Sequence, residues 1–499
     1  MTALGTAVVG ATVSKRRETA FAWARSHRGV ERELDDVPLS VLRGALPREL
    51  VGTLFRCGPG RLSAHGTNYH HLFDGDGHVC RFEFTSDGVV RFRNRFVRTR
   101  EFLAERDAKR ALFRSFGTNK PGGIRRNAFD PVFKNAANTS AFAHEGRLYA
   151  LWEAGLPHRM DPATLDTLAR DTFGGRLLDG ENAWTRIAGR ELPFTAHPRV
   201  DPKSREMFAF GLSNGPTQRL HLYRADGSHA MDEPEVHKLD ALYFVHDFAL
   251  TARFRVLFLC PARFDVVRTM LGLATPVSGM TYEPARPTRI WLVPRDGYAK
   301  SPIVIDAPSC FVFHHVNAWD HADGTVRCHA LRIDTYPELP HPFDTDTLSI
   351  APSKKSVPFY TEFVIDPEAR TVRAQRRFES PCELPFVDPS LTTQEHRFSW
   401  ATATDPASPM QVFTRLVKFD RARGTETVRE FAPGFPGEPV FVPRGDGGRG
   451  DDGWLLAMGY STRDGASVLE VCDADTLENV CTLALPVTVP PGFHGCWVR

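Results

Sequence analysis

The sequence predicts an all-β chain in which small sheets repeat about an axis, a β-propeller with a few helical insertions. Three observations predict it. Short runs rich in Val, Phe, Tyr and Arg alternate with period two from residue 50 to the C-terminus, as in Val89-Val90-Arg91-Phe92-Arg93-Asn94-Arg95-Phe96. A small vocabulary of turns separates these runs: Ser86-Asp87-Gly88, Asp201-Pro202, Ala225-Asp226-Gly227, Ala322-Asp323-Gly324, Asp366-Pro367 and Gly445-Asp446-Gly447, each expected at a hairpin tip. Finally, 499 residues of closely spaced strands without a linker suit radial repetition better than one sandwich.

Self-similarity is faint, limited to pieces such as Asp161-Pro162-Ala163-Thr164-Leu165 and Asp473-Ala474-Asp475-Thr476-Leu477, so repeats alone do not count the blades. Helical periodicity is confined to 14–29, 39–49, 99–114 and the stretch from Phe264 to Leu273. Residues 1–30 read as an N-terminal extension, for which a flexible segment, a membrane-seeking helix and an address are the open alternatives, and 31–499 as one domain. The apolar run Ala3 to Val13 is followed, not preceded, by Lys15-Arg16-Arg17, which is the wrong order for a secretory signal. No stretch of eighteen apolar residues occurs, so no membrane-spanning helix is expected.

Composition narrows the function. A 42% hydrophobic fraction excludes disorder as the main state. Lys+Arg 62 against Asp+Glu 60 leaves a net charge of +2, which supplies no general attraction to nucleic acid. Nine cysteines without a Cys-x-x-Cys pair point to a reduced, cytoplasmic protein. Phe, at 36, far outnumbers Tyr at 9 and Trp at 8, and that excess of rings without a polar handle hints at an apolar ligand.

Two familiar patterns are set aside. Gly211-Leu212-Ser213-Asn214-Gly215 matches a hydrolase nucleophile elbow, but Pro216 and the alternating Leu220-His221-Leu222-Tyr223 follow where a helix should. His321-Ala322-Asp323 has facial-triad spacing, yet Gly324 marks a solvated hairpin tip.

Four histidines lie in apolar or strand-like surroundings: His197 after Phe194-Thr195-Ala196, His246 in Phe244-Val245-His246-Asp247-Phe248, His314 in Phe311-Val312-Phe313-His314-His315, and His494 in Gly492-Phe493-His494-Gly495. Each alone reads as an ordinary core or surface histidine; together they suggest a metal. Spread from 197 to 494, they exceed any local zinc finger, but strand ends converging on one axis could unite them. An imidazole-only set suits iron, copper or zinc, not magnesium or calcium. Glu153, Glu383 and Glu438 stand in equally apolar runs. They either hold the outer ring nitrogens of metal-bound histidines or pair with arginines.

Read in order, these segments resemble the carotenoid cleavage oxygenase family, which includes apocarotenoid oxygenases and stilbene-cleaving enzymes. The resemblance spans nearly the whole chain. It runs from Gly52-Thr53-Leu54-Phe55-Arg56-Cys57-Gly58-Pro59-Gly60 and His71-Leu72-Phe73-Asp74-Gly75-Asp76-Gly77 through Asn138-Thr139-Ser140 and Leu151-Trp152-Glu153 to Pro491-Gly492-Phe493-His494-Gly495. It implies a seven-bladed propeller with a helical dome over the active-site face, and one Fe(II) held by His197, His246, His314 and His494. His315 is not a ligand in that pattern. Glu153, Glu383 and Glu438 would orient three of the imidazoles, and Thr139 would lie beside an open coordination position. Cys57 replaces the usual Asn, outside the metal set.

The implied reaction is cleavage of one conjugated double bond by O2 into two carbonyls, with no organic cofactor. Stilbene-cleaving members engage a phenol through Tyr and Lys, and the matching positions here are Phe116 and Trp152. An unpaired buried hydroxyl costs about 1–3 kcal/mol, so a carotenoid or apocarotenoid is the favoured substrate, lined by Phe73, Phe116, Trp152 and Phe313. Each of these rings also fits ordinary core packing. Residues 264–282, with Val266, Val267, Met270, Leu271 and Leu273, match the position of a membrane-contacting patch, which would make the protein membrane-peripheral; a loop packed on the dome is the alternative.

Overall fold

A computed structural model describes residues 18–178, 191–214, 217–295, 301–336, 357–405, 412–431, 433–445 and 450–499. The alternating runs become antiparallel strands. In Val90–Phe96, Val90, Phe92, Asn94 and Phe96 are buried while the intervening arginines reach outward, as period-two patterning requires.

The first sheet orders Leu34–Pro38, Val90–Phe96, Gly77–Phe84, Gly52–Pro59 and Gly495–Val498, so the last strand of the chain completes the sheet begun by the first. Thr167–Arg170, His158–Met160, Arg147–Leu151 and Ser140–His144 form the second, and Arg199–Val200, Met207–Ser213, Arg219–Ala225 and Glu235–Lys238 the third. The fourth is built on the long strand Phe254–Phe264, which pairs with Phe248–Leu250 on one side and Thr288–Pro294 on the other. A seven-stranded sheet from Phe311–Asp320 to Thr425–Glu430 follows. Its middle strand, Thr371–Phe386, pairs with Phe359–Asp366 through its first half and with Phe398–Thr404 through its second. The last sheet runs from Gly434–Pro443 to Asn479–Ala484 and takes Ser40–Gly44 as its outer edge.

The core lies between sheets. Apolar layers join neighbouring sheets, such as Tyr149 and Leu151 with Met207 and Tyr223, or Phe210 and Leu220 with Leu257 and Trp291. Leu54, Phe82 and Phe92 of the first sheet share a layer with Val440, Leu456 and Leu469 of the last, which closes the arrangement on itself.

The faint repeat is a recurring turn. Asp161, Asp201 and Asp473 each accept main-chain hydrogen bonds two and three residues on through their side chains, and the residue four on adopts positive φ: Leu165, Arg205 and Leu477. An Asp at the first position caps such a turn locally, and it is the one residue that all three turns share.

Helices are sparse, with three corrections. Residues 39–49 contain a strand, Ser40–Gly44, paired with Asn479–Ala484. Gly44 sits at φ +73°, and a Cβ there would lie 1.9 Å from the Val480 carbonyl, so close strand approach overrides the helical spacing. The helix expected over 99–114 is Arg100–Ala108, capped by Thr99 Oγ1 and ended at Lys109 in the left-handed region. That from Phe264 to Leu273 is only Val266–Met270. Residues 18–26 are helical, and Trp23 packs on Phe435 and Tyr460; the rest of the expected extension, 1–17, lies outside the described residues. All nine cysteines are free and eight are buried. No helix of the described residues is long and apolar enough to cross a membrane.

Candidate metal centre

His197 precedes the first strand of the third sheet, His246 precedes Phe248–Leu250, His314 lies within Phe311–Asp320, and His494 precedes Gly495–Val498. Convergent strand ends place one ligand atom from each within 4.8 Å of the others. The Nε2 atoms of His197 and His246 are 3.0 Å apart, and the His197 ring centre is 4.4 Å from that of His494. Three of the four are buried, at 5%, 8% and 7% exposure for His246, His314 and His494.

Three of the four outer nitrogens face a glutamate. Nδ1 of His246 lies 3.1 Å from Glu153 Oε1, Nδ1 of His314 2.5 Å from Glu383 Oε2, and Nδ1 of His494 2.8 Å from Glu438 Oε1. A ring that donates from Nδ1 turns its Nε2 lone pair inward. His314 Nε2 is buried without a hydrogen-bond partner, which is costly unless a metal takes it. The donor set fits a borderline transition metal.

Local irregularity aims these side chains. Strand register shifts between Val312 and His315, between Glu383 and Phe386, and between Pro436 and Pro439. His314, Glu383 and Glu438 thus sit in or beside bulges, which turn a side chain out of the regular alternation.

Electrostatics favours neutral imidazoles at His197 and His494 and ionised carboxylates at Glu153 and Glu438. Burial, reinforced by neighbouring His494, holds His197 well below its usual range, and burial also lowers His494 despite Glu438. At His314 burial is outweighed by Glu383, which raises it. Burial opposes ionisation of Glu438, but His494 and Arg56 outweigh it and keep the carboxyl below its usual range. Arg56 Nη1 reaches Glu438 Oε2 at 2.7 Å, and Gly495 N–H donates to the same oxygen at 2.9 Å.

His315 points away from the cluster, with its ring against Phe258 at 4.9 Å. Thr139 is buried, and its carbonyl accepts the His494 N–H at 3.1 Å. Phe313 packs edge-on to His246 at 5.4 Å, Phe73 contacts Phe313 at 6.4 Å, and Phe116 stacks on Phe73 at 6.2 Å. Trp152 is buried beside Glu153, but among the described residues no ring contact joins it to this aromatic group. Cys57 is buried, with Sγ 3.6 Å from the Ala137 carbonyl.

The patterns set aside are turns. Ser213 ends a strand and Arg219–Ala225 pairs back on it, while Gly215 and Pro216 lie outside the described residues. His321 and Asp323 form an exposed tip. Sequence reasoning missed Arg56, Arg199, Asp247 and Phe493 as parts of the site. Phe493 contacts Phe73 at 5.5 Å, and Asp247 accepts Arg199 Nη2 on both of its oxygens and the His315 N–H on Oδ2. For Arg199, Asp247 and Phe493 adjacency in sequence to His197, His246 and His494 was the available signal; Arg56 had none of that kind.

Residues 28–499 match the family described as retinal pigment epithelial membrane protein. The chain is 33% identical to apocarotenoid-15,15'-oxygenase of Synechocystis, over 97% of this chain and 98% of that protein. It is 30% identical to isoeugenol monooxygenase of Pseudomonas putida over 91% and 93% of the two chains. Among solved structures it is similar to cobalt-substituted Synechocystis ACO, with a TM-score of 0.87, 32% identity, and coverage of 96% of this chain and 99% of that one. With the family match spanning residues 28–499, this chain belongs to the retinal pigment epithelial membrane protein family, the carotenoid cleavage oxygenases.

Proposed function

We propose that the protein is a non-haem Fe(II) dioxygenase that cleaves one conjugated C=C bond of a carotenoid or apocarotenoid with O2, giving two carbonyl products. The observation that carries this reading is the convergence of four imidazoles without a carboxylate among them, beside an aromatic wall. Similarity to an apocarotenoid oxygenase along the whole chain supports the substrate class.

Iron(II) held by four neutral ligands would supply positions where O2 reacts with an electron-rich alkene, and both oxygen atoms enter the two carbonyls without an external reductant or organic cofactor. The chain's own residues do the rest. Glu153, Glu383 and Glu438 hold the imidazoles in one tautomer and orientation. Phe73, Phe116 and Phe313 bind and orient the polyene and exclude water. Trp152 extends that lining, and the Thr139 methyl limits access beside His494. Phe116 offers no hydrogen bond to a phenol, which favours an apolar substrate.

The sheets support a seven-bladed propeller, counting the seven-stranded sheet as two blades that share Thr371–Phe386. The segments 100–135 and 264–282 form its cap: Arg114 donates to the Ala274 carbonyl at 2.9 Å and Val277 N–H to the Phe116 carbonyl at 3.1 Å. On the outside of this cap Phe129, Val267 and Val266 are 71%, 68% and 54% exposed, with Ile124, Met270 and Leu273 also exposed and Arg125 and Arg126 beside them. Such a patch supports shallow docking on a membrane from the cytoplasmic side. No nucleic-acid partner is proposed.

The second reading is phenylpropanoid or stilbene cleavage, favoured by similarity to isoeugenol monooxygenase. A non-catalytic scaffold would leave the buried imidazole group without a purpose. Anaerobic purification with iron quantitation, then oxygen uptake and product masses with an apocarotenal or isoeugenol, tests these readings. About one iron per chain and two shorter carbonyls from the apocarotenal support the first, turnover of isoeugenol alone the second, and absence of iron overturns both.

A further inference from the structure

Three of the four histidines are braced through Nδ1 by a glutamate; among the described residues no carboxylate braces His197 in that way. What lies next to His197 is Arg199, two residues on. Its Nη2 reaches Asp247 Oδ1 at 2.9 Å and Oδ2 at 2.7 Å, and its Nε donates to the Phe248 carbonyl at 3.0 Å. The same Nη2 donates to the His315 carbonyl at 3.2 Å. Asp247, in turn, accepts the Phe248 N–H at 2.7 Å on Oδ1 and the His315 N–H at 2.8 Å on Oδ2. Its side chain is 1% exposed.

This pair joins the segments that carry three ligands. Arg199 belongs to the segment of His197, Asp247 directly follows His246, and His315 directly follows His314. Arg199 bonds the main chain of both other segments, at Phe248 and His315, and Asp247 bonds Arg199 and the His315 N–H, so a shift of any of the three segments strains the same few bonds. We propose that Arg199 and Asp247 act together as a positioning unit that sets the spacing of His197, His246 and His314, giving His197 the constraint that glutamates give the other three. The inference rests on the metal-centre reading above. Neither side chain bonds a metal-facing nitrogen, so the unit acts through the ligands and not as a catalytic group. An ion pair with a buried carboxylate is by itself weak evidence for stability, whereas metal sites tolerate only small displacements of their donors.

The test uses full-length, metal-free protein titrated with Co(II) against a chelator, reading affinity and the visible ligand-field spectrum. Arg199→Ala and Asp247→Ala are each expected to weaken Co(II) binding by about 10–100-fold and to alter the spectrum. The double variant should be no weaker than the worse single one, because the two act as one unit. Should the alanine variants not fold, Asp247→Asn and Arg199→Lys, which preserve volume, decide the question with the same direction of effect. Folded variants that keep wild-type affinity and spectrum would overturn the proposal while leaving the metal centre intact. Failure of the wild type to bind Co(II) would overturn the metal centre, and this inference with it.

Discussion

Glu438 accepts His494 Nδ1 at 2.8 Å on one oxygen and Arg56 at 2.7 Å on the other, so one carboxylate serves a candidate ligand and a fully buried guanidinium at once. Glu153 differs: its partner is His246, and its side chain is 28% exposed. The two glutamates therefore have separable consequences.

Glu153→Gln is expected to weaken metal binding by about 10–100-fold with little change in the melting temperature of the metal-free protein. Glu438→Gln should weaken binding similarly and also destabilise the metal-free fold by roughly 3–5 kcal/mol, because Arg56 is left buried without its counter-charge. Chelator competition and calorimetry on both variants check the contrast; equal destabilisation would contradict it.

Metal removal should lower the stability of the wild type. A ligand bound only by the folded state contributes about 2.7 kcal/mol at a hundred times its Kd, so the melting temperature should rise on adding Fe(II) or Co(II). His246→Ala should abolish that rise, as followed by differential scanning calorimetry.

Stability should decline as pH rises past the titration of Asp74. Burial pushes its carboxyl up to about 6, against hydrogen bonds from Thr118 and Gly117. Because the folded value lies above the unfolded one, the contribution is complete below about pH 4 and is lost as pH climbs through about 6, a change of about 3 kcal/mol. Asp74→Asn should flatten the denaturation profile in that window, and an unchanged slope would remove Asp74 as its cause.

Detergent-free protein is expected to sediment with anionic vesicles. Val267→Glu together with Met270→Glu should abolish sedimentation, since both side chains are exposed, whereas replacing half-buried Leu271 would confound binding with folding. Retained binding in the double variant would exclude this patch as the contact.

The sequence by itself determined the strand class, because period-two burial and Asp-led turns are local properties, as Val90–Phe96 and the turn at Asp161 illustrate. It also offered the four histidines as a set, through the order of the segments that carry them, although each alone reads as an ordinary core or surface histidine. Tertiary structure alone decided that Ser40–Gly44 is an edge strand and not a helix, because its partner, Asn479–Ala484, lies at the other end of the chain. It decided the choice left open for the glutamates: Glu438 serves His494 and Arg56 together. It also revealed the link between Arg199 and Asp247, a contact between residues with no sequence pattern to announce it, since pairing across separate sheets depends on how whole sheets pack and not on the order of neighbouring residues.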